Sequence, residues 1–288
     1  MTRRCPRIPA LLVVVAAFAC SRATEAPDWT ELFGYAADEV HTFDVGEFGY
    51  PYVPVVLAGQ THSLAFDTGN MVGLSVSPEV FQRAGLPCDD VWERLNSAGE
   101  PVSSGCVAHR QEAGILGTVW PELSVYEWLQ PPLAGLVGPD HLPGRRFTMD
   151  YERRRMAVSS GPLPAEIAGF EALPLVRSPR HRRLILVFGS VRGRDVLFEI
   201  DTGKSRGTVN RSLVDDLVLE RGDRGVLVGD VQLGGRNLEI GWAREVDTGG
   251  ISEGLPAPVM IGIGSDVLSD FVWTVDYESG MLWLPLRD

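Results

Sequence analysis

Twice along the chain a glycine turn, at Gly59 and at Gly193, opens an alternating apolar run that ends on an aspartate eight residues later. The runs close as Leu64-Ala65-Phe66 and Phe198-Glu199-Ile200. A period of two entered through a turn predicts the second strand of a β-hairpin. Each run delivers an Asp-Thr-Gly tripeptide, Asp67-Thr68-Gly69 and Asp201-Thr202-Gly203, so both tripeptides are expected in loops at strand ends. Helix-like segments follow, Ser77-Pro78-Glu79-Val80-Phe81 and Asn210-Arg211-Ser212-Leu213-Val214. Ser77 and Asn210 open them as N-cap residues, whose side-chain oxygens can satisfy orphan backbone N–H groups.

The match continues downstream. Leu136-Val137-Gly138-Pro139-Asp140-His141-Leu142 lines up with Gly262-Ile263-Gly264-Ser265-Asp266-Val267-Leu268, and eight residues past each leucine stand Asp150-Tyr151-Glu152 and Asp276-Tyr277-Glu278. The period is 134 residues at the tripeptides and 126 at the later landmarks, so the second copy is eight residues shorter between them. A repeat this long reads as a domain duplication rather than a solenoid. The expectation is a mostly β chain of two tandem lobes, residues 41–160 and 175–288, related by an internal pseudo-twofold. Residues 161–174, rich in Pro, Gly and Ala, read as the linker, and residues 20–40 as a tether.

A third copy, Asp247-Thr248-Gly249, lacks this setting. Arg244 and Glu245 stand where the apolar run should be, and no helix start follows. It reads as an exposed turn. The overlapping Gly250-Ile251-Ser252-Glu253-Gly254 spells Gly-x-Ser-x-Gly, but a nucleophile elbow needs a strand entering and a helix leaving, and Leu255-Pro256-Ala257-Pro258 is a poor helix.

Paired Asp-containing loops make chemical sense. Two carboxylates held close together cannot both ionise comfortably, so they share a proton and titrate as one unit. The ionised member can deprotonate a water while the protonated member hydrogen-bonds a carbonyl. Glycine lets backbone N–H groups approach the carboxylate. The Thr68 and Thr202 hydroxyls can bond across to the opposite loop. Gly138 and Gly264, each after an apolar residue, allow a strand to pass close behind each loop. An Asp-Gly turn capping a hairpin explains either copy alone, but not the recurrence of the flanks.

With these residues the chain resembles the aspartic peptidases, pepsin-like and specifically retropepsin-like, in the bilobal single-chain form found in bacteria. The resemblance rests on Leu64-Ala65-Phe66-Asp67-Thr68-Gly69 with Leu136-Val137-Gly138, and on Phe198-Glu199-Ile200-Asp201-Thr202-Gly203 with Gly262-Ile263-Gly264. It spans roughly residues 41 to 288. It implies two mostly β lobes, Asp67 and Asp201 as a catalytic dyad between them, Thr68 and Thr202 as cross-bracing hydroxyls, and a hairpin flap closing over a peptide. Ser97 to Gln111 is the flap candidate by position. The residue after the glycine is often small or hydroxylic in the family, whereas here it is Asn70 and Lys204. Lys204 is expected to face solvent, the alternative being an inward turn that would pull the dyad's pKa down.

Export changes the picture at the N-terminus. Arg3, Arg4 and Arg7 precede an apolar stretch from Leu11 to Ala19, too short to span a bilayer and shaped like a signal peptide. Ala17-Phe18-Ala19 is an A-x-A cleavage site, and Cys20 directly after it opens a second route, lipidation. Either route leaves a mature chain starting at Cys20, exported to the periplasm or cell envelope. With Cys5 and Cys20 set aside, Cys88 and Cys106 remain as the natural disulfide in an oxidising compartment, with free buried thiols as the alternative.

Loss of the three signal arginines takes the formal charge from −12 to −15, with 23 basic residues against 38 acidic, which argues against a nucleic-acid partner. Twenty-five of the 26 basic residues are arginine, ascribed to codon bias. The five histidines are scattered without ligand spacing, so no metal is expected, and the peptidase reading calls for no organic cofactor. Trp120 and Trp128 read as packing residues. The expected function is an aspartic endopeptidase acting on a peptide or protein substrate; a non-catalytic peptide-binding lipoprotein of the same fold is the alternative.

Overall fold

A computed structural model describes residues 28–70, 72–95, 100–128, 133–142, 144, 146–180 and 182–286. The proposed signal segment and Cys20 lie outside the described residues. The fold is mostly β, and the hydrophobic core runs through two closed barrels and the sheet that joins them.

The first barrel starts from the hairpin Pro51–Leu57 and Gln60–Phe66. Its two-residue turn, Ala58-Gly59, has positive φ at both positions, the geometry whose twist matches paired strands. Gln60–Phe66 pairs in parallel with Gly135–Val137, which pairs with Leu74–Val76, then Thr118–Glu127, then Pro101–Ile115. Pro101–Ile115 returns to Pro51–Leu57 and closes six strands into a ring. Asp90–Leu95 adds to the outer edge of Pro101–Ile115 as a further hairpin.

The second barrel follows the same strand order. Ile185–Val191 and Arg194–Ile200 form its hairpin through Arg192-Gly193, again with positive φ at both turn positions. The ring continues through Val259–Ile263, Thr208–Asn210, Arg236–Val246 and Gly225–Leu233 back to Ile185–Val191. Helices stand where the caps predict them. Ser77 Oγ accepts the Val80 N–H ahead of Pro78–Arg83, and Asn210 Oδ1 accepts the Ser212 N–H ahead of Arg211–Asp216.

A third sheet of six strands joins the two barrels, in the order Val40–Thr42, Arg155–Ser159, Arg146–Asp150, Trp273–Asp276, Met281–Pro285, Phe170–Pro174. Its centre is the antiparallel pair Thr148 and Thr274, whose hydroxyls lie 2.6 Å apart. Phe66, Phe147 and Trp273, all fully buried, form a row of edge-to-face rings with centroids 5.5 Å apart at both contacts. Such pairs contribute ~0.5–1.5 kcal/mol each beyond their burial, and this row anchors the first Asp-Thr-Gly strand to the joining sheet.

Two sequence expectations change here. Residues 28–40 are no free tether. Trp29 and Phe33 are buried, Trp29 Nε1 donates to Asp150 Oδ2 at 2.6 Å, and Val40–Thr42 takes an edge of the joining sheet. Trp29, Phe33 and Tyr35 find distant partners in Asp150, Phe170 and Thr148, which composition alone does not reveal. The 161–174 linker likewise ends in a strand. Phe170–Pro174 pairs with Met281–Pro285, with Phe170 and Ala172 against one apolar cluster and Leu173 against another.

Candidate active site

The two hairpin strands deliver Asp67 and Asp201 to one place, where each carboxyl lies against the glycine of the opposite loop. Each loop is pinned from behind by the parallel strand, since the Asp67 N–H donates to Val137 O at 3.0 Å and the Asp201 N–H to Ile263 O at 2.9 Å. Gly138 and Gly264 close that contact. A Cβ on Gly138 would stand 2.8 Å from Asn70 O, and one on Gly264 2.6 Å from Lys204 O.

Within each loop a backbone N–H fixes its own carboxylate. Gly69 donates to Asp67 Oδ1 at 2.8 Å and Gly203 to Asp201 Oδ1 at 2.9 Å. The same glycines face the opposing carboxyl. A Cβ on Gly69 would lie 2.5 Å from Asp201 Oδ2, and one on Gly203 would lie 2.2 Å from Asp67 Cγ. Only hydrogen fits at either position, so the glycines set how closely the carboxyls approach.

The threonines are fully buried and cross over. The Thr68 N–H donates to Thr202 Oγ1 and the Thr202 N–H to Thr68 Oγ1, both at 3.0 Å. Each hydroxyl then donates to the strand end of the opposite barrel, Thr68 to Ile200 O at 2.9 Å and Thr202 to Phe66 O at 2.7 Å.

Burial pushes the Asp67 carboxyl well above the ordinary aspartate range, and the Asp201 charge and the hydrogen bond between the two push it further. The Gly69 N–H and the Lys204 charge act in the opposite sense.

Lys204 does not face solvent. Its Nζ lies 3.0 Å from Asp201 Oδ2 and bonds Glu199 Oε2, a carboxyl only 3% exposed. Burial works against the lysine charge, but Asp201 and Glu199 outweigh it and hold the ammonium above the ordinary lysine range. Burial raises the Glu199 carboxyl, with Lys204 opposing. A glutamate within the otherwise apolar run from Val196 to Ile200 was the available signal, because a buried carboxylate needs a cation. On the other side Asn70 folds back on its own turn, donating to Gly73 O at 2.6 Å and accepting the Val72 N–H at 3.0 Å.

A cavity of about 740 Å³ opens beside Asp67 and Gly69. Trp92, Val102, Tyr126, Trp128 and Leu136 supply apolar and aromatic walls. Trp128 is therefore a cavity residue rather than packing, because the strand Thr118–Glu127 ends at the cavity. Trp120 stays with the core. Trp92 was not singled out by sequence; it projects from Asp90–Leu95 beside Val102 and Ser103 of the flap candidate. Residues 97–99 of that candidate lie outside the described residues.

Cys88 and Cys106 lie at disulfide distance, 2.05 Å, tying the chain beyond the helix Pro78–Arg83 to the outer hairpin. Asp247 is exposed, with Oδ1 accepting the Gly249 N–H at 2.8 Å. A one-turn helix, Gly249–Ser252, follows it in place of the expected bare turn. Ser252 Oγ donates to Thr248 O and accepts the Val259 N–H, which ties it into the barrel wall. Among the described residues, no group of three or more His, Cys, Asp or Glu is placed to hold a metal ion, and no helix is long and apolar enough to cross a membrane.

No protein-family model and no curated protein matches the chain.

Proposed function

We propose that this chain is a bilobal aspartic endopeptidase of the retropepsin-like kind, built from a duplicated unit, which hydrolyses peptide bonds with water activated between Asp67 and Asp201. The observation that carries the reading is the juxtaposition of two carboxyls from different barrels, each against the glycine of the opposite loop and held there by reciprocal threonine bonds. A structural role alone gives no reason to bury two acids against each other, since the like charges are costly there.

In the proposed reaction the ionised carboxyl accepts a proton from a water, whose oxygen attacks the carbonyl carbon. The protonated carboxyl gives its proton to the carbonyl oxygen, leaving a neutral tetrahedral diol. Collapse returns one diol proton to the second carboxyl. The first carboxyl passes the water proton to the departing nitrogen as the C–N bond breaks. No acyl-enzyme forms. The aromatic-walled cavity beside Asp67 suits a large apolar side chain of the substrate. Export, with cleavage before Cys20 and lipid attachment there as one route to the envelope, belongs to the same proposal.

The test is to profile a peptide library with the mature protein from acid to neutral pH, adding a peptide mimic that carries a hydroxyl at the scissile position. Cleavage suppressed by that mimic, bound far more tightly than substrate, is expected. Absence of cleavage across the range, or a mimic no tighter than an ordinary peptide, overturns the proposal.

A further inference from the structure

Lys204 is the only lysine in the chain; the other 25 basic residues are arginine. It sits 3.0 Å from one aspartate of the pair and is seated by a buried glutamate. The positions 134 residues earlier carry Asn70 in place of Lys204 and Ala65 in place of Glu199. The two loops are thus alike in backbone and unlike in charge.

We propose that Lys204, seated by Glu199, is a positioning residue that fixes the dyad's single proton on Asp67 and keeps Asp201 ionised before any substrate arrives. Distance and surroundings set the two aspartates apart. The ammonium contacts Asp201 Oδ2 directly, whereas Asp67 has the Gly69 N–H and Asp201 itself as its polar partners. Charge then balances: Glu199 with Lys204 is neutral overall, Asp201 carries the one negative charge, and Asp67 is neutral and donates to it. The other titratable groups facing this corner do not reverse the bias. Tyr151 is buried and held neutral well above the ordinary tyrosine range. Asp266 accepts the Gly207 N–H at 3.2 Å, with Arg206 nearby.

Stability does not account for the arrangement. Desolvating an ammonium and a carboxylate costs several kcal/mol, and apolar replacements of buried pairs are often as stable. A compact point charge on a flexible stem suits a single carboxylate oxygen better than a planar guanidinium would. The consequence rests on the peptidase reading: Asp201 is the base that takes the water proton, and Asp67 is the acid that protonates the carbonyl oxygen.

The proton's position is read by 13C NMR of labelled aspartate carboxyls, with Asp67→Asn and Asp201→Asn assigning the two signals by their loss. Near neutral pH the signal lost in Asp67→Asn should be that of a protonated carboxyl, and the one lost in Asp201→Asn that of a carboxylate. In Lys204→Met/Glu199→Gln the two should converge as the proton is shared evenly. Lys204→Gln, which keeps a hydrogen-bonding partner for Glu199, should give the same convergence and covers failure of the double variant to fold. A reversed or already equal pair in the wild type, or an unchanged separation in a folded Lys204 variant, overturns the proposal. Failure of the peptidase reading would show separately, as absent cleavage with the NMR asymmetry intact.

Discussion

Thr68 and Thr202 exchange hydrogen bonds symmetrically: each backbone N–H donates to the other's hydroxyl at 3.0 Å. Neither barrel can move its aspartate without breaking a bond made by the other, so the separation of the carboxyls is set by the junction rather than by either loop.

Thr68→Val and Thr202→Val should therefore be among the more damaging shape-conserving changes in the chain. Each removes the acceptor of one buried N–H and the donor to one buried carbonyl, and unsatisfied groups cost ~1–3 kcal/mol apiece. The expected loss is about 2–5 kcal/mol for either variant by denaturant titration. A loss near zero would mean that water or a shifted backbone replaces the brace.

Stability should also respond to pH through the dyad. The Asp67 carboxyl is raised in the folded state by burial and by Asp201. A raised carboxylate contributes stability that is fully present below the unfolded-state range and is lost as pH rises through the folded-state value. Asp67→Asn keeps an acceptor for the Gly69 N–H and removes this loss. It should melt above the wild type at neutral pH by an amount worth roughly 0.5–2 kcal/mol, with the gap shrinking on acidification. Melting curves from acid to neutral pH check this, and a gap that widens in acid contradicts the sign.

The local elements of the site were legible because their causes are local. Gly59 and Gly193 fix the hairpin turns, Ser77 and Asn210 cap the helices, and the alternation around Leu64 and Phe198 fixes which way each strand faces. What escaped depends on pairings distant in sequence. Trp29 meets Asp150 across 121 residues. Phe170–Pro174 meets Met281–Pro285, and neither segment specifies the other. Lys204 is a different case. Its spacing of three from Asp201 permits an inward turn, but the deciding partner is Glu199, whose burial follows from the barrel around it.

The disulfide should stabilise the outer hairpin rather than the dyad. Cys88 and Cys106 are 18 residues apart, and closing a loop of that size contributes about 3 kcal/mol in the chain-entropy view. Cys88→Ser/Cys106→Ser should lose stability of that order, with faster amide exchange concentrated in Asp90–Leu95 and the facing part of Pro101–Ile115. Exchange that rises equally around Asp67 and Asp201 would show that the bridge supports the whole barrel instead.

Asp247 separates the tripeptide from its setting. Its carboxylate is exposed and bonds only its own turn through Gly249 among the hydrogen bonds seen here, and Asn can accept the same bond. Asp247→Asn should leave both melting temperature and peptide cleavage within the scatter of the wild type. A loss matching that of a dyad variant would move the active centre to the third copy.

The proposal as a whole turns on whether Asp67 and Asp201 work as one unit. Each contributes half of a proton-transfer pair, so removing either half disables the same step. General acid–base assistance contributes about 10²–10⁴-fold, and loss of that order is expected from Asp67→Asn and from Asp201→Asn alike. The double variant should be scarcely worse than either single one, because a pair already broken has nothing further to lose. Independent groups would instead multiply their losses. Folding is not the obstacle, since Asn preserves the side-chain shape and relieves the burial penalty and the Asp201 repulsion that act on the Asp67 carboxylate. Cleavage of one responsive peptide by the wild type, both single variants and the double, with melting curves on the same samples, distinguishes the cases. Turnover that survives in either folded single variant would end the shared-dyad proposal and leave the paired loops to be explained as a binding surface.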